Sequence, residues 1–247
     1  MKQVVYTLER TRRLAPDTYE MVFSGDTSAI TAPGQFVNLE LPGKFLRRPI
    51  SISSWTPDGQ LTLLVRAAGS GTRELVSAAP GTAFHTLTGL GNGFSPEDGG
   101  THPVLIGGGI GIAPLYGLAQ QLLHRSVSPA LALGFRSKAD TFYLEEFRAL
   151  GCPLFVATED GSLGTRGFVT DLVRGELPQA DYCFVCGPTP MLRAVAGLEQ
   201  LRDGQFSFEA RMACGFGACV GCTIQTANGP RRVCKDGPIF RKEELVW

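Results

Sequence analysis

The sequence predicts a multi-domain β + α/β protein: an antiparallel β-barrel, then a parallel-sheet α/β domain, then a small C-terminal domain rich in cysteine. Three observations point there. Residues 1–98 alternate short apolar runs with turn dipeptides, residues 99–205 alternate strand-like with helix-like segments, and Cys214, Cys219, Cys222 and Cys234 crowd into residues 206–247.

In the first unit, strands are expected at residues 4–10, 18–23, 35–41, 49–53, 61–66 and 83–88. Pro33-Gly34, Pro42-Gly43, Asp58-Gly59 and Pro80-Gly81 supply the turns between them. Only residues 72–78 read as helix, and so dense a spacing of turns favours a small closed barrel. The polar, glycine-bearing stretch Ser95-Pro96-Glu97-Asp98-Gly99-Gly100 marks the boundary. Beyond it, residues 104–106 form a short buried strand, and Leu115, Leu118 and Leu122 recur as on one face of a helix. Further strands are expected at 131–134, 154–158 and 182–185, with helices at 144–150, 169–173 and 191–201. This alternation implies a mostly parallel sheet covered on both faces, whose ligands gather at the C-terminal strand ends. From Phe206 onward the helical period is lost, and the rest of the chain is too short for an ordinary core, so a metal is expected to hold it.

Composition narrows the function. Lys plus Arg and Asp plus Glu both number 23, so no global field exists to gather nucleic acid or anionic lipid. The longest apolar stretch, residues 104–119, is broken by five glycines and Pro114 and falls short of a membrane span. The N-terminus becomes charged before a signal-like core can develop, and the chain is expected in the cytoplasm. In a reducing compartment an odd count of seven cysteines suggests ligands or buried thiols rather than disulfides.

The strongest motif is Cys214-Gly-Phe-Gly-Ala-Cys219-Val-Gly-Cys222 followed by Cys234, a C-x4-C-x2-C-x11-C order of the plant-type [2Fe-2S] kind. Glycines in such a loop reach positive φ and let backbone N–H groups point at the sulfurs. Zinc is the alternative, but structural zinc usually uses paired C-x2-C knuckles and only one pair is present. The second motif, Gly107-Gly108-Gly109-Ile110-Gly111-Ile112-Ala113-Pro114, lies between a strand and a helix, where exposed amides favour a pyrophosphate. It departs from G-x-G-x-x-G, so a dinucleotide-binding Rossmann label does not fit in detail. Cys186-Gly187-Pro188, with Met191 beyond, ends a later strand at the same sheet edge, and a thiol there is either a small buried residue or a contact to nicotinamide. Third, Arg47-Arg48-Pro49-Ile50-Ser51, Val65-Arg66-Ala67 and Gly69-Ser70-Gly71-Thr72-Arg73 supply guanidinium, hydroxyl and amide donors suited to a diphosphate.

Taken in order, Arg-Pro-Ile-Ser, Gly-Gly-Gly-Ile-Gly-Ile-Ala-Pro and Cys-Gly-Pro resemble the ferredoxin reductase family over the whole chain. The ending, from Glu209-Ala-Arg-Met-Ala-Cys214 through Cys234-Lys-Asp-Gly-Pro-Ile-Phe240, is most similar to the electron-transfer subunits of NAD-linked dihydroorotate dehydrogenase. The resemblance implies FAD on the barrel, contacted by Arg48, Pro49, Ile50, Ser51, Val65, Arg66, Ala67, Gly71, Thr72 and Arg73. Position 50 is Ile where many relatives carry Tyr, so no aromatic stack on the flavin is implied there. It implies NAD at the sheet, at Gly107, Gly108, Gly109, Gly111, Ala113, Pro114, Gly187, Pro188 and Met191, with Cys186 at the nicotinamide, and a [2Fe-2S] cluster on the four C-terminal cysteines.

Such a set makes a relay. A nicotinamide exchanges hydride while a [2Fe-2S] centre carries one electron, so a flavin is needed between them. No second diphosphate site for FMN and no acid–base pair for a carbon substrate is evident, and His85, His102 and His124 lie in ordinary segments. The resemblance therefore implies an FMN-containing dihydroorotate dehydrogenase catalytic subunit as partner, in a heterotetramer of two plus two. The alternatives are an NAD(P)H reductase subunit of another redox complex and a zinc-stabilised binding module. Arg136, Ser137 and Lys138 after a strand suit the 2′-phosphate of NADP, whereas the resemblance favours NAD.

Overall fold

The computed structural model describes residues 1–177 and 179–247. Strands β1 (Lys2–Ala15), β2 (Thr18–Ser24), β3 (Phe36–Leu39), β4 (Arg48–Trp55), β5 (Gln60–Arg66) and β6 (Ala83–Leu90) close a barrel in the order β1-β2-β5-β4-β3-β6, every pair antiparallel. Helix α1 (Ser70–Val76) lies between β5 and β6 in the chain. Tyr6, Leu8, Met21, Phe23, Val37, Ile52, Leu63 and Phe84 fill the interior, as the period-2 pattern requires. Strand β1 runs past the expected Arg10 to Ala15, which pairs with Thr18. The charged run is tolerated because Arg10 and Arg12 reach back to Glu20, whose side chain is only 4% exposed.

The second unit carries β7 (Pro103–Gly108), α2 (Ala113–His124), β8 (Ala130–Phe135), α3 (Leu144–Ala149), β9 (Leu154–Thr158), β10 (Thr165–Arg166), α4 (Val169–Glu176), β11 (Tyr182–Cys186), α5 (Thr189–Ala196) and β12 (Asp203–Ser207). The tail adds a hairpin, β13 (Thr223–Thr226) with β14 (Gly229–Arg232), and β15 (Ile239–Arg241). The sheet order is β10-β9-β8-β7-β11-β12-β15, parallel except for β15. Strands β8 and β9 are added on one side of β7, and β11 and β12 on the other, so the chain reverses direction between β7 and β11. Crevices open at such reversals.

Alternation along β7 serves both faces: Val104 and Ile106 pack with α4 and α5 residues, while Leu105 packs with α2. Helix α5 stops at Ala196, short of the expected residue 201, because Gly197 caps it with its N–H on the Arg193 carbonyl at 3.2 Å. The freed chain enters β12, a strand whose Gly204 and buried Gln205 hide its apolar alternation. The expected boundary at residues 205/206 thus falls inside β12. The tail does not stand on its own core: Cys222, Val233, Cys234 and Phe240 pack with Phe36 and Leu90 of the barrel. Helix α2 in turn lies against β4, where a Cβ on Gly117 would come 2.6 Å from the Ser53 carbonyl oxygen. Only a residue without a side chain permits that approach.

Candidate functional site

The four C-terminal cysteines come as two pairs. The Sγ atoms of Cys214 and Cys219 are 3.4 Å apart, and Cys222 accepts at Sγ from the Cys234 N–H at 3.4 Å. Among the described residues, no three Cys, His, Asp or Glu side chains gather about one metal position. Two thiol pairs suit a centre of two irons, one pair on each, better than a single tetrahedral zinc. Gly215 (φ 74°) and Gly217 (φ 91°) turn the loop so that its amides face inward. Burial works to raise the Cys214 thiol, yet the N–H groups of Phe216, Cys219 and Gly217 bring it down to about 6. Burial and the neighbouring Cys222 push Cys234 up to about 12. The loop is tied to the barrel, since Asn38 of β3 donates from Nδ2 to the Cys214 carbonyl at 3.1 Å.

At the sheet edge, Cys186 and Gly107 are register partners on β11 and β7. The turn after β7 folds over this edge so closely that a Cβ on Gly111 would lie 2.4 Å from the Cys186 carbonyl oxygen. Two cavities flank the contact. The larger, about 490 Å³, is lined by Gly108, Gly109, Pro188 and Met191 at one end and by Arg136, Asp140 and Glu159 at the other. Its volume suits a cofactor-sized ligand. The smaller, about 240 Å³, lies between Pro49, Ile50 and Ser51 of the barrel and Gly111, Ala113, Pro114 and Cys186 of the sheet, with Glu209 and Met212 closing it. Arg66 and Ile110 line both cavities.

The remaining residues fall around these. Gly187 packs on Met191 and Gly108. Gly107 and Val65 line neither cavity; Gly107 sits beneath Ile112 and Leu115, and Val65 is in the barrel core. The Arg48 guanidinium lies over Gly71, where a Cβ would come 2.3 Å from its Nε. Thr72 and Arg73 flank this point, Thr72 Oγ1 accepting from the Gly69 N–H at 3.0 Å and Arg73 donating to the Ala68 carbonyl at 3.2 Å. Ala67 donates its N–H to the Asp17 carbonyl, and Arg66 pairs with the Asp17 carboxylate at 2.8 Å.

Burial and the nearby Glu209 push the Cys186 thiol up to about 12. The folded chain keeps a proton that the unfolded chain loses above pH 9, so this group contributes stability below that pH and loses it as pH rises toward 12. Accordingly, native protein treated with iodoacetamide at pH 8 is expected to leave Cys186 unmodified by peptide mass mapping. Alkylation there before unfolding would contradict the burial. Sequence reasoning missed Glu209 and Ser207, which line the smaller cavity. Glu209 is exposed at the rim, yet desolvation by the cavity walls raises its carboxyl. A lone Glu before the cysteine motif carried no signal of this.

A family model described as the iron-sulfur cluster binding domain of dihydroorotate dehydrogenase B matches residues 209–246, and one described as an oxidoreductase NAD-binding domain matches residues 105–197. The chain is 40% identical over 256 aligned residues to the dihydroorotate dehydrogenase B (NAD(+)), electron transfer subunit of Shouchella clausii (strain KSM-K16), covering 99% of this chain and 98% of the relative. To the protein of the same name from Bacillus caldolyticus it is 42% identical, over 97% of each. Among solved structures, an NADH-dependent reduced ferredoxin-NADP oxidoreductase superposes with a TM-score of 0.87 at 28% identity, over 98% of this chain and 90% of that one. An Amycolatopsis cytochrome P450 reductase superposes with a TM-score of 0.69 at 28% identity, over 78% of this chain and 64% of that one.

Proposed function

Because the chain belongs to the family of dihydroorotate dehydrogenase B (NAD(+)) electron transfer subunits, we propose that it passes electrons from a dihydroorotate dehydrogenase catalytic subunit to NAD+ in pyrimidine biosynthesis. Contiguity carries this reading. Met212, two residues before Cys214, lines the smaller cavity, and that cavity shares Arg66 and Ile110 with the larger. The three proposed sites would then follow one another in the order the chemistry needs. Cys214 with Cys219, and Cys222 with Cys234, would hold the two irons of a [2Fe-2S] cluster. FAD would lie along Pro49–Ser51 with its diphosphate toward Arg48, Gly71, Thr72 and Arg73, and NAD in the larger cavity. When bound, the cluster supplies single-electron transfer and FAD the exchange between single electrons and hydride.

The chain's own residues hold and shield these groups. The approach permitted by Gly111 brings the turn after β7 onto Cys186, beside the two cavities that share Arg66 and Ile110. Cys186 stays protonated and packs there. Asn38 and Met212 keep the cysteine loop against the barrel. Exposed Phe216 and Val220 on that loop support docking of the catalytic subunit, taken to contain FMN, at the cluster. We assign two copies of each chain to the complex. No helix among the described residues is long and apolar enough to cross a membrane, and all seven cysteines are free, which fits our placement of the chain in the cytoplasm.

Anaerobic titration tests the reading. NADH is expected to bleach flavin and iron–sulfur absorbance in this chain alone, and dihydroorotate only with the partner present. Failure of dihydroorotate to reduce the co-purified pair would overturn it. Arg48→Ala is expected to weaken FAD retention by about 2 kcal/mol, roughly thirtyfold, through loss of a charge-assisted contact. Flavin content after gel filtration checks this.

A further inference from the structure

Arg136, Ser137 and Lys138 form the kind of cationic, hydroxyl-bearing run that receives the 2′-phosphate of NADP, yet the side chains of Arg136 and Ser137 are engaged within the chain, and Lys138 is held there by its backbone alone. Arg136 pairs with Asp140 Oδ1 at 2.8 Å, Ser137 Oγ donates to Asp140 Oδ2 at 2.8 Å, and the Lys138 N–H donates to Ser162 Oγ at 2.7 Å. Both oxygens of one carboxylate are thus spent on the first two donors. Arg136, Asp140 and Glu159 line the far end of the larger cavity, on the loops after β8 and β9. Those strands lie one and two positions from β7, so at a spacing of about 4.8 Å per strand this end is remote from the wall shared with the flavin cavity. If the nicotinamide lies at that wall, the adenosine ribose lies here.

We propose that Asp140 sets the preference for NADH over NADPH by holding Arg136 and Ser137 out of reach of a 2′-phosphate. This assignment rests on the reading of the larger cavity as the NAD site. A 2′-hydroxyl can donate to a carboxylate at this position. A 2′-phosphate instead meets Asp140 and Glu159 with one guanidinium already neutralised, and like charges brought together in a cleft are strongly disfavoured. Selection works by repulsion of the wrong nucleotide as much as by attraction of the right one. Arg136 is 66% exposed, so its ion pair contributes little to folding and can be removed without unfolding the chain.

The test is oxidation of NADH and NADPH by the complex with ferricyanide as acceptor, for the wild type, Asp140→Ala, Asp140→Asn and the double variant Asp140→Ala/Arg136→Ala. The wild type is expected to prefer NADH. In Asp140→Ala the ratio of kcat/KM for NADH over NADPH falls by about tenfold, carried by a lower KM for NADPH rather than by kcat. Asp140→Asn moves the same way by less, and the double variant loses the gain because the released guanidinium is gone. A ratio unmoved in both single variants, or a gain that survives removal of Arg136, overturns the assignment alone. A wild type oxidising neither nucleotide overturns the functional reading and the assignment with it.

Discussion

Cys219→Ser is expected to strip the chain of iron, abolish the cluster signal in reduced-state electron paramagnetic resonance, and reduce dihydroorotate-driven NAD+ reduction by the complex to background. Cys219 sits 3.4 Å from Cys214 and is half-buried, so in the proposed ligation its loss would leave one iron with a single thiolate while disturbing little packing. NADH oxidation with ferricyanide should survive, because neither the larger nor the smaller cavity includes this residue. Cys222→Ser should lose iron equally and lower thermal stability as well. Cys222 is 2% exposed in the apolar cluster with Phe36, Leu90, Val233 and Phe240, where a hydroxyl with at most the Cys234 N–H as partner costs about 0.5–2 kcal/mol. Iron analysis and melting curves on the two variants separate the effects; equal melting temperatures would mean that the tail does not depend on that packing.

Gly111→Val is expected to have the second largest effect. The atoms a Cβ would meet are backbone: the Cys186 carbonyl oxygen at 2.4 Å, its carbon at 2.6 Å and the Gly187 Cα at 2.7 Å. None of them can swing aside as a side chain would, so the turn after β7 must lift off the end of β11. Overpacking of this kind costs about 1–3 kcal/mol. Misplacing reacting groups by about 1 Å can cost a further hundredfold in rate. Both KM for NADH and kcat should therefore worsen, with iron content unchanged, as steady-state kinetics and metal analysis would show. Wild-type kinetics in this variant would mean that the closeness of the two cavities is not used.

Much of the fold and of the site is legible in the chain alone. The four cysteines span 21 residues, and the glycine run and the Cys-Gly-Pro turn are each contiguous, so local spacing alone carried their chemistry. Strand β12 was not legible, because Gly204 and Gln205 interrupt the apolar pattern and the strand is held by neighbours on both sides. Nor was the anchoring of the cluster loop by Asn38, which lies 176 residues away in the chain. Nothing in the local sequence marks Glu209 or Asp140; the fold places one at the smaller cavity and the other between Arg136 and Ser137.

The sequence by itself determined the barrel strands, most of the elements of the parallel sheet and the ligands they are suited to, since periodicity, turn dipeptides and ligand spacing are short-range properties of the chain. Only the tertiary structure decided that the two cavities share Arg66 and Ile110, that the C-terminal tail completes both the sheet and the barrel's packing, and that the side chains of Arg136 and Ser137 in an apparently phosphate-seeking run are already paired with Asp140. Those outcomes depend on which distant strands become neighbours when the sheet orders itself around β7 and β11, and that information is spread over the whole chain rather than held in any one segment.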